Sequence, residues 1–204
     1  MIRIGKRVKI DGRYRPTQSF LNRAWPHHLT IEPLALRASR AIGAPIGFPS
    51  ACARYAWLCR GSGGREMTDE EAMPLLQKVN RQVNAGVAPA ADAQTSGKPE
   101  YWSLPINNKG DCEDYALLKL KTLLGAGFAS NKLVLSVVID RGGNNHVVLL
   151  ARLRSGDDVL DNLAGKVKPW ESTGYTFLAS QDFSNRSAWQ VTLAGPRAGQ
   201  FSGT

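Results

Sequence analysis

The sequence predicts an α+β domain in which helices pack on one face of an antiparallel sheet. The first observation is order, since two segments with helical periodicity precede every segment typical of a strand. The second is composition, because from residue 132 onward short runs rich in Val and Leu alternate with polar turns at 141–145 and 155–157. Helices followed by closely spaced strands favour an antiparallel meander.

The first helix is predicted over residues 69–84. Thr68-Asp69-Glu70-Glu71 has the spacing of a capping box, in which the Thr hydroxyl and the second Glu carboxylate accept backbone N–H groups at the helix start. Apolar residues then recur at helical spacing, at Ala72, Leu75, Leu76, Val79 and Val83. Residues 85–99 are rich in Ala, Gly, Pro and Ser and are expected to form a loop.

A second helix is predicted to begin near Cys112 and to end at Gly125 or Gly127. Its buried stripe is expected to comprise Ala116, Leu117, Leu120, Leu123 and Leu124. The strands are expected at 132–139, 146–153, 159–163 and 175–179, with 189–193 as a further candidate.

Charge divides the chain into a basic N-terminal segment, residues 1–44, and a domain, residues 45–204. The first 40 residues contain nine Lys or Arg and two acidic residues, so most of the formal charge of +9 lies there. Such a segment is either a solvated, poorly ordered leader or an arm that binds anionic polymer or membrane. We expect the leader and no nucleic acid partner.

An export signal is not evident, because Arg37 and Arg40 interrupt the apolar centre that a signal peptide needs. Export by another route, a misassigned start codon or retention inside the cell are the alternatives. No run of 18 apolar residues occurs, so no transmembrane segment is predicted.

Three cysteines allow one disulfide and one free thiol. Cys52 and Cys59, with six residues between them, suit a small disulfide loop, although two buried free thiols would also fit. Metal binding by this pair is not expected, because no second pair of ligands follows nearby. A disulfide would indicate an oxidising compartment.

Cys112 has the features of a nucleophile. It lies in the first turn of a well-patterned helix, where amide N–H groups and the helix dipole favour a thiolate. His146 opens a predicted strand and is the best placed of three histidines to serve as base. Asp161, on the next strand, could orient the imidazole. The alternative is ordinary: a core cysteine, a strand-end histidine and a turn acid.

The motif Gly-Asp-Cys-Glu-Asp-Tyr-Ala at 110–116, followed by a strand opening with His146 and by Leu-Asp-Asn at 160–162, resembles the bacterial transglutaminase-like cysteine peptidases, the LapG-type periplasmic proteases. The resemblance covers about residues 45–193 and includes the segment Tyr-Trp-Ser-Leu-Pro at 101–105. It implies a papain-like or transglutaminase-like fold and a triad of Cys112, His146 and Asp161. It also implies a periplasmic or secreted enzyme that cleaves large surface adhesins.

Some members of that family need calcium, held by acids that match Asp111 and Glu113. Unpaired carboxylates beside Cys112 would raise its pKa, and a calcium ion would offset them; the alternative is that first-turn acids only stabilise the helix. Trp102 could donate to an oxyanion or line the pocket, and core packing is the other interpretation. Two functions besides peptide cleavage stay open: transglutaminase-type acyl transfer, and a non-enzymatic module that binds anionic polymer or membrane.

Overall fold

The computed structural model describes residues 35–61 and 63–202. Its helices are α1 (Phe48–Arg54), α2 (Ala56–Cys59), α3 (Asp69–Gly86), α4 (Asp92–Thr95) and α5 (Cys112–Gly125). Its strands are β1 (Ala41–Ile42), β2 (Ala88–Pro89), β3 (Lys109–Gly110), β4 (Leu133–Ile139), β5 (Asn145–Arg152), β6 (Asp157–Leu160), β7 (Lys168–Pro169), β8 (Thr176–Gln181) and β9 (Trp189–Ala194). Three 3-10 turns lie at Ser130–Lys132, Trp170–Thr173 and Ala198–Gln200. The mixture of helices and antiparallel sheet confirms the predicted fold class.

Seven strands form one antiparallel sheet in the order β1-β9-β8-β4-β5-β6-β7. Strands β4, β5 and β6 follow the chain as the meander predicted, and β7, which was not predicted, pairs with β6. The meander prediction is wrong for β8, which returns to pair with the other edge of β4. Strand β4 is apolar and largely buried along its length, so the backbone groups on both its edges need partners inside the protein.

Helix α3 begins with the predicted capping box, since the Thr68 side chain accepts from the Glu71 amide and the Glu71 carboxylate accepts from the Thr68 amide. Its apolar stripe packs against that of α5, α5 packs on β5, and with Leu149 of β5 these residues form the main core. A second cluster that includes Val148 and Phe177 covers the opposite face of the sheet. The sheet is therefore buried on both faces.

The ordered fold starts before the boundary expected at residue 45. Strand β1 pairs with β9, and the Leu36 amide donates to the Asp157 carboxylate at 2.8 Å. The rest of the predicted basic segment, residues 1–34, lies outside the described residues, as do His27 and His28. Within the described ranges, no helix combines the length and apolar character needed to cross a membrane.

Helices α1 and α2 form a short pair where the sequence suggested only a disulfide loop. The structure joins Cys52 and Cys59 by a disulfide, with the two Cα atoms 5.6 Å apart, within the usual range for such bonds. The pair therefore links the end of α2 back to α1, beside the core residues Phe48 and Leu58.

Candidate active site

Cys112 is the first residue of α5, and Asp111 is its N-cap. The thiol is half-buried and is the free cysteine of the described residues. Its sulfur lies 3.2 Å from Oε2 of Glu113, and the nearby backbone N–H of Val147 favours the thiolate. Helix α5 packs on β5, so the sulfur meets this strand one residue beyond His146.

His146 is buried near the start of β5, and its Nε2 lies 2.8 Å from Oδ1 of Asp161. Asp161 follows directly after β6, the antiparallel neighbour of β5. The adjacency of these two strands explains why residues 15 positions apart in sequence meet side chain to side chain. The structure thus brings His146 and Asp161 together, and Cys112 to the residue next to His146.

Asp161 is held by three donors. Besides His146, the Tyr175 hydroxyl donates to Oδ2 at 2.7 Å and the Leu163 amide donates to Oδ1 at 2.9 Å. Burial alone would raise the pKa of Asp161, but the hydrogen bonds from His146 and Tyr175 outweigh it and lower that pKa. The Tyr175 ring also meets the His146 ring edge to face, with centroids 5.9 Å apart. Asp161 is therefore an ionised, fixed partner of the imidazole.

Amide side chains of α3 hold the loop that carries Asp161. Asn80 is fully buried; its Oδ1 accepts from the Asp161 amide at 3.0 Å and its Nδ2 donates to the Ala164 carbonyl at 2.8 Å. Asn84 donates to the Asp161 carbonyl at 2.9 Å. Gln77 donates a hydrogen bond to the Gly165 carbonyl and accepts one from the Val167 amide. Sequence reasoning missed these three residues, although their spacing of three and four positions puts them on one side of the helix.

A cluster of carboxylates lies beside the thiol. Oxygen atoms of Asp92, Asp111 and Glu113 all lie within 4.8 Å of one another. Asp92, from α4, was not predicted, because its segment showed only loop composition; an acid in an otherwise small, weakly polar stretch was the available signal. Among the described residues, one oxygen each of Asp92, Asp111 and the neighbouring Asp114 is buried without a hydrogen-bond partner.

Crowding and burial change the acidity of this cluster. Burial, followed by the charge of Asp111, raises the pKa of Glu113 to about 9, and burial raises the pKa of Asp114 to about 7. The pKa of the Cys112 thiol is raised as well, first by burial and then by the Glu113 carboxyl. Without a compensating cation, this environment keeps the thiol protonated.

Helix α5 also buries a lysine. Lys119 lies two turns beyond Cys112 and is 1% exposed. Burial lowers its pKa to about 7, and the charge of Asp161 opposes that shift. Lys119 and Asp161 thus interact electrostatically inside the core.

Trp102 is a core residue. It is 1% exposed, meets Phe48 and Trp189 edge to face, and donates its indole N–H to Oε1 of Glu100 at 2.6 Å. That N–H is already used, so we assign Trp102 neither an oxyanion role nor a place in the pocket wall.

Comparison with known proteins agrees with this geometry. The family model described as bacterial transglutaminase-like cysteine proteinase matches residues 38–197. The calcium-bound structure of Legionella pneumophila LapG is 23% identical, with a TM-score of 0.50, and covers 60% of this chain and 70% of its own. Another structure of Legionella pneumophila LapG is 24% identical, with a TM-score of 0.50, and covers 62% of this chain and 72% of its own. No curated protein matches the chain.

The two structural likenesses support the transglutaminase-like fold, and the family match spans most of the sequence. Because that match includes Cys112, His146 and Asp161, the residues described above lie inside the shared region. The chain therefore belongs to the bacterial transglutaminase-like cysteine proteinase family and is a cysteine peptidase.

Proposed function

We propose that Cys112, His146 and Asp161 form the catalytic triad of a calcium-dependent peptidase that cleaves a periplasmic or cell-surface protein such as an adhesin. The observation that carries the proposal is the buried 2.8 Å contact between His146 and Asp161. His146 lies on β5, the strand against which α5, the helix that begins at Cys112, packs. A cysteine nucleophile, a base within its reach and a third group that orients the base are the parts that this chemistry needs.

Asp161 sets the tautomer of the base. Its carboxylate accepts a hydrogen bond from the N–H at Nε2 of His146. This leaves Nδ1 as the nitrogen that can take a proton from a thiol. The negative charge of Asp161 also stabilises the imidazolium that forms after this transfer. Tyr175 and the Asn80 and Asn84 amides keep the carboxylate in place for both tasks.

The reaction proceeds in two stages. His146 takes the proton of Cys112, the sulfur attacks the scissile carbonyl, and the protonated imidazole gives its proton to the departing amine. Water, deprotonated by His146, then attacks the acyl-enzyme and releases the new carboxyl end. The backbone N–H of Cys112, at the positive end of α5, is the donor that we assign to the oxyanion.

The carboxylate oxygens beside the thiol are suitable ligands for a calcium ion. Calcium prefers carboxylate and other oxygen ligands, and the buried oxygens of Asp92 and Asp111 without hydrogen-bond partners among the described residues offer them, together with Glu113. A bound calcium would supply positive charge that offsets the carboxylates around Cys112. Legionella pneumophila LapG has been solved with calcium bound, which supports the same ion here.

The disulfide supports an oxidising location. Disulfides such as Cys52–Cys59 persist in the periplasm and outside the cell and are rare in the cytosol. The polypeptide substrate proposed above would be met in that compartment.

A cleavage assay on a proteome-derived peptide library in calcium buffer tests the triad. We expect Cys112→Ser to abolish cleavage and Asp161→Asn to reduce it by about 10³-fold or more, because the imidazole then loses its anionic partner. Asp182→Asn, an acid on the loop after β8, serves as the control and should cleave like the wild type. Cleavage by Cys112→Ser would show that the nucleophile is another group, and activity indifferent to EGTA would remove calcium from the proposal.

A further inference from the structure

The surface next to Asp161 carries a group of cations. Arg141, Lys166 and Lys168 line a shallow depression that Asp161 and Tyr175 also line. Arg141 belongs to the turn between β4 and β5, Lys166 belongs to the loop between β6 and β7, and Lys168 is the first residue of β7. We call these three residues the basic rim.

Among the described residues, the charges of the basic rim have no acidic partner in an ion pair. No ion pair joins Arg141, Lys166 or Lys168 to an acid in the described part of the chain. Elsewhere cations are paired, as in Arg152 with Asp157 at 2.8 Å and Lys132 with Glu66 at 2.7 Å.

The acids near the rim are already engaged. The Asp161 carboxylate accepts three hydrogen bonds, and Asp140 accepts from Asn144 and from its own turn. The depression therefore presents positive charge to whatever occupies it.

The loop that carries the lysines is preorganised. Its backbone is bonded to Gln77, Asn80 and Asn84 of α3, as described above, from Asp161 to Val167. The same loop leaves Leu163 59% exposed, although that residue's amide is fixed to Asp161. A surface held in this way loses little conformational entropy when it binds a ligand, and an exposed leucine beside cations provides apolar contact as well as charge.

We propose that the basic rim, with Leu163, binds an acidic side chain of the polypeptide substrate and so makes the enzyme prefer cleavage sites with Asp or Glu at a fixed distance from the scissile bond. The inference rests on the proposed function, because the rim adjoins the triad acid. Three cations around one shallow depression match one or two carboxylates, as a peptide segment can provide, and charge complementarity at such a rim selects partners and speeds encounter.

The first test compares cleavage-site preferences in a proteome-derived peptide library. The wild type should enrich Asp and Glu at one position, and the double substitution Lys166→Glu/Lys168→Glu should remove that enrichment. For a peptide chosen from the library, the double substitution should lower kcat/KM at least about fivefold and should affect the matched Gln peptide less than about twofold. Lys78→Glu/Arg81→Glu, on the exposed side of α3, is the control and should keep the preference.

The second test needs no catalysis. The full chain with Cys112→Ala, labelled with ¹⁵N, is titrated with hexaglutamate and with hexaglutamine and followed by NMR. We expect hexaglutamate alone to shift the amides of Leu163, Lys166 and Lys168. Shifts confined to other segments, or a preference for acidic residues that survives the charge reversal, would show that the basic rim is not the binding site. A peptide library left uncleaved by the wild type would count against the proposed peptidase function. The titration would still show whether the basic rim binds an acidic peptide.

Discussion

Replacing Asp92 by Asn should stabilise the protein in the absence of calcium. The same substitution should remove most of the stabilisation that calcium gives the wild type. The substitution keeps the shape of the side chain and removes one charge from the cluster with Asp111 and Glu113. The side-chain oxygen of Asn can still accept the hydrogen bond that the Tyr101 amide donates to the Asp92 carboxylate. The expected change therefore isolates charge from packing.

The size of the effect follows from the spacing of the carboxylates. Two ionised groups 4.8 Å apart repel by about 3–4 kcal/mol at an effective dielectric constant near 20. Protonation of Glu113, whose pKa is raised to about 9 by burial and by Asp111, relieves part of this repulsion at neutral pH. We therefore expect Asp92→Asn to raise the free energy of unfolding of the calcium-free protein by about 1–2 kcal/mol.

With free calcium at a hundred times its Kd, the wild type should gain about 2.7 kcal/mol. For a domain of this size that gain corresponds to a rise in Tm of about 5–11 °C, whereas Asp92→Asn should gain little. Thermal unfolding by circular dichroism in EGTA, in calcium and in magnesium measures both effects, with Glu70→Gln on the exposed start of α3 as the control. An equal calcium-induced rise in the wild type and in Asp92→Asn would refute the assignment of Asp92 as a ligand.

Three further substitutions test the rest of the site and fold. Tyr175→Phe removes a donor to a buried carboxylate, so kcat should fall about tenfold with KM little changed and the free energy of unfolding should fall by about 1–2 kcal/mol, both measurable on the purified variant. Because the pKa of Lys119 is lowered to about 7 from 10.5, the unfolded state binds the extra proton between these values, so the stability of the wild type relative to Lys119→Met should rise with pH across that window; urea titrations of both proteins at pH 7 and pH 9 measure that difference. Replacing Cys52 and Cys59 by Ser opens a loop of seven residues' separation and should cost about 2–3 kcal/mol by loop entropy, seen as a lower Tm under oxidising conditions only.

Local signals in the sequence were enough to predict much of the fold. The capping box at Thr68 and Glu71 lies where helix α3 begins, and the apolar run predicted over 132–139 is strand β4. What could not be predicted was pairing over long distances. The return of β8 to β4 depends on which strand edges remain free after the hairpins form, and that is a property of the whole sheet rather than of residues 175–179.

The same distinction applies to the site. Cys112, His146 and Asp161 were identifiable because each lies at the edge of a predicted element and belongs to a residue type suited to its role. Asp92 carries no such local mark, because only the tertiary fold brings its carboxylate to those of Asp111 and Glu113 beside Cys112. Tyr175 was likewise recognised only as a strand residue, since its hydroxyl partner is decided by the tertiary fold.

The positions of the three residues of the proposed triad depend on a helix that contributes none of them. Cys112 is fixed by the start of α5 and His146 by the sheet, but Asp161 lies past the end of β6, where regular backbone pairing has stopped. In place of that pairing, the side-chain amides of Asn80 and Asn84 on α3 form hydrogen bonds with the backbone of Asp161. The Asn80 side chain is fully buried. Because an apolar residue at either position would leave buried backbone groups of the loop without partners, the choice of Asn at these positions of α3 reflects the geometry of the proposed triad rather than the stability of the helix.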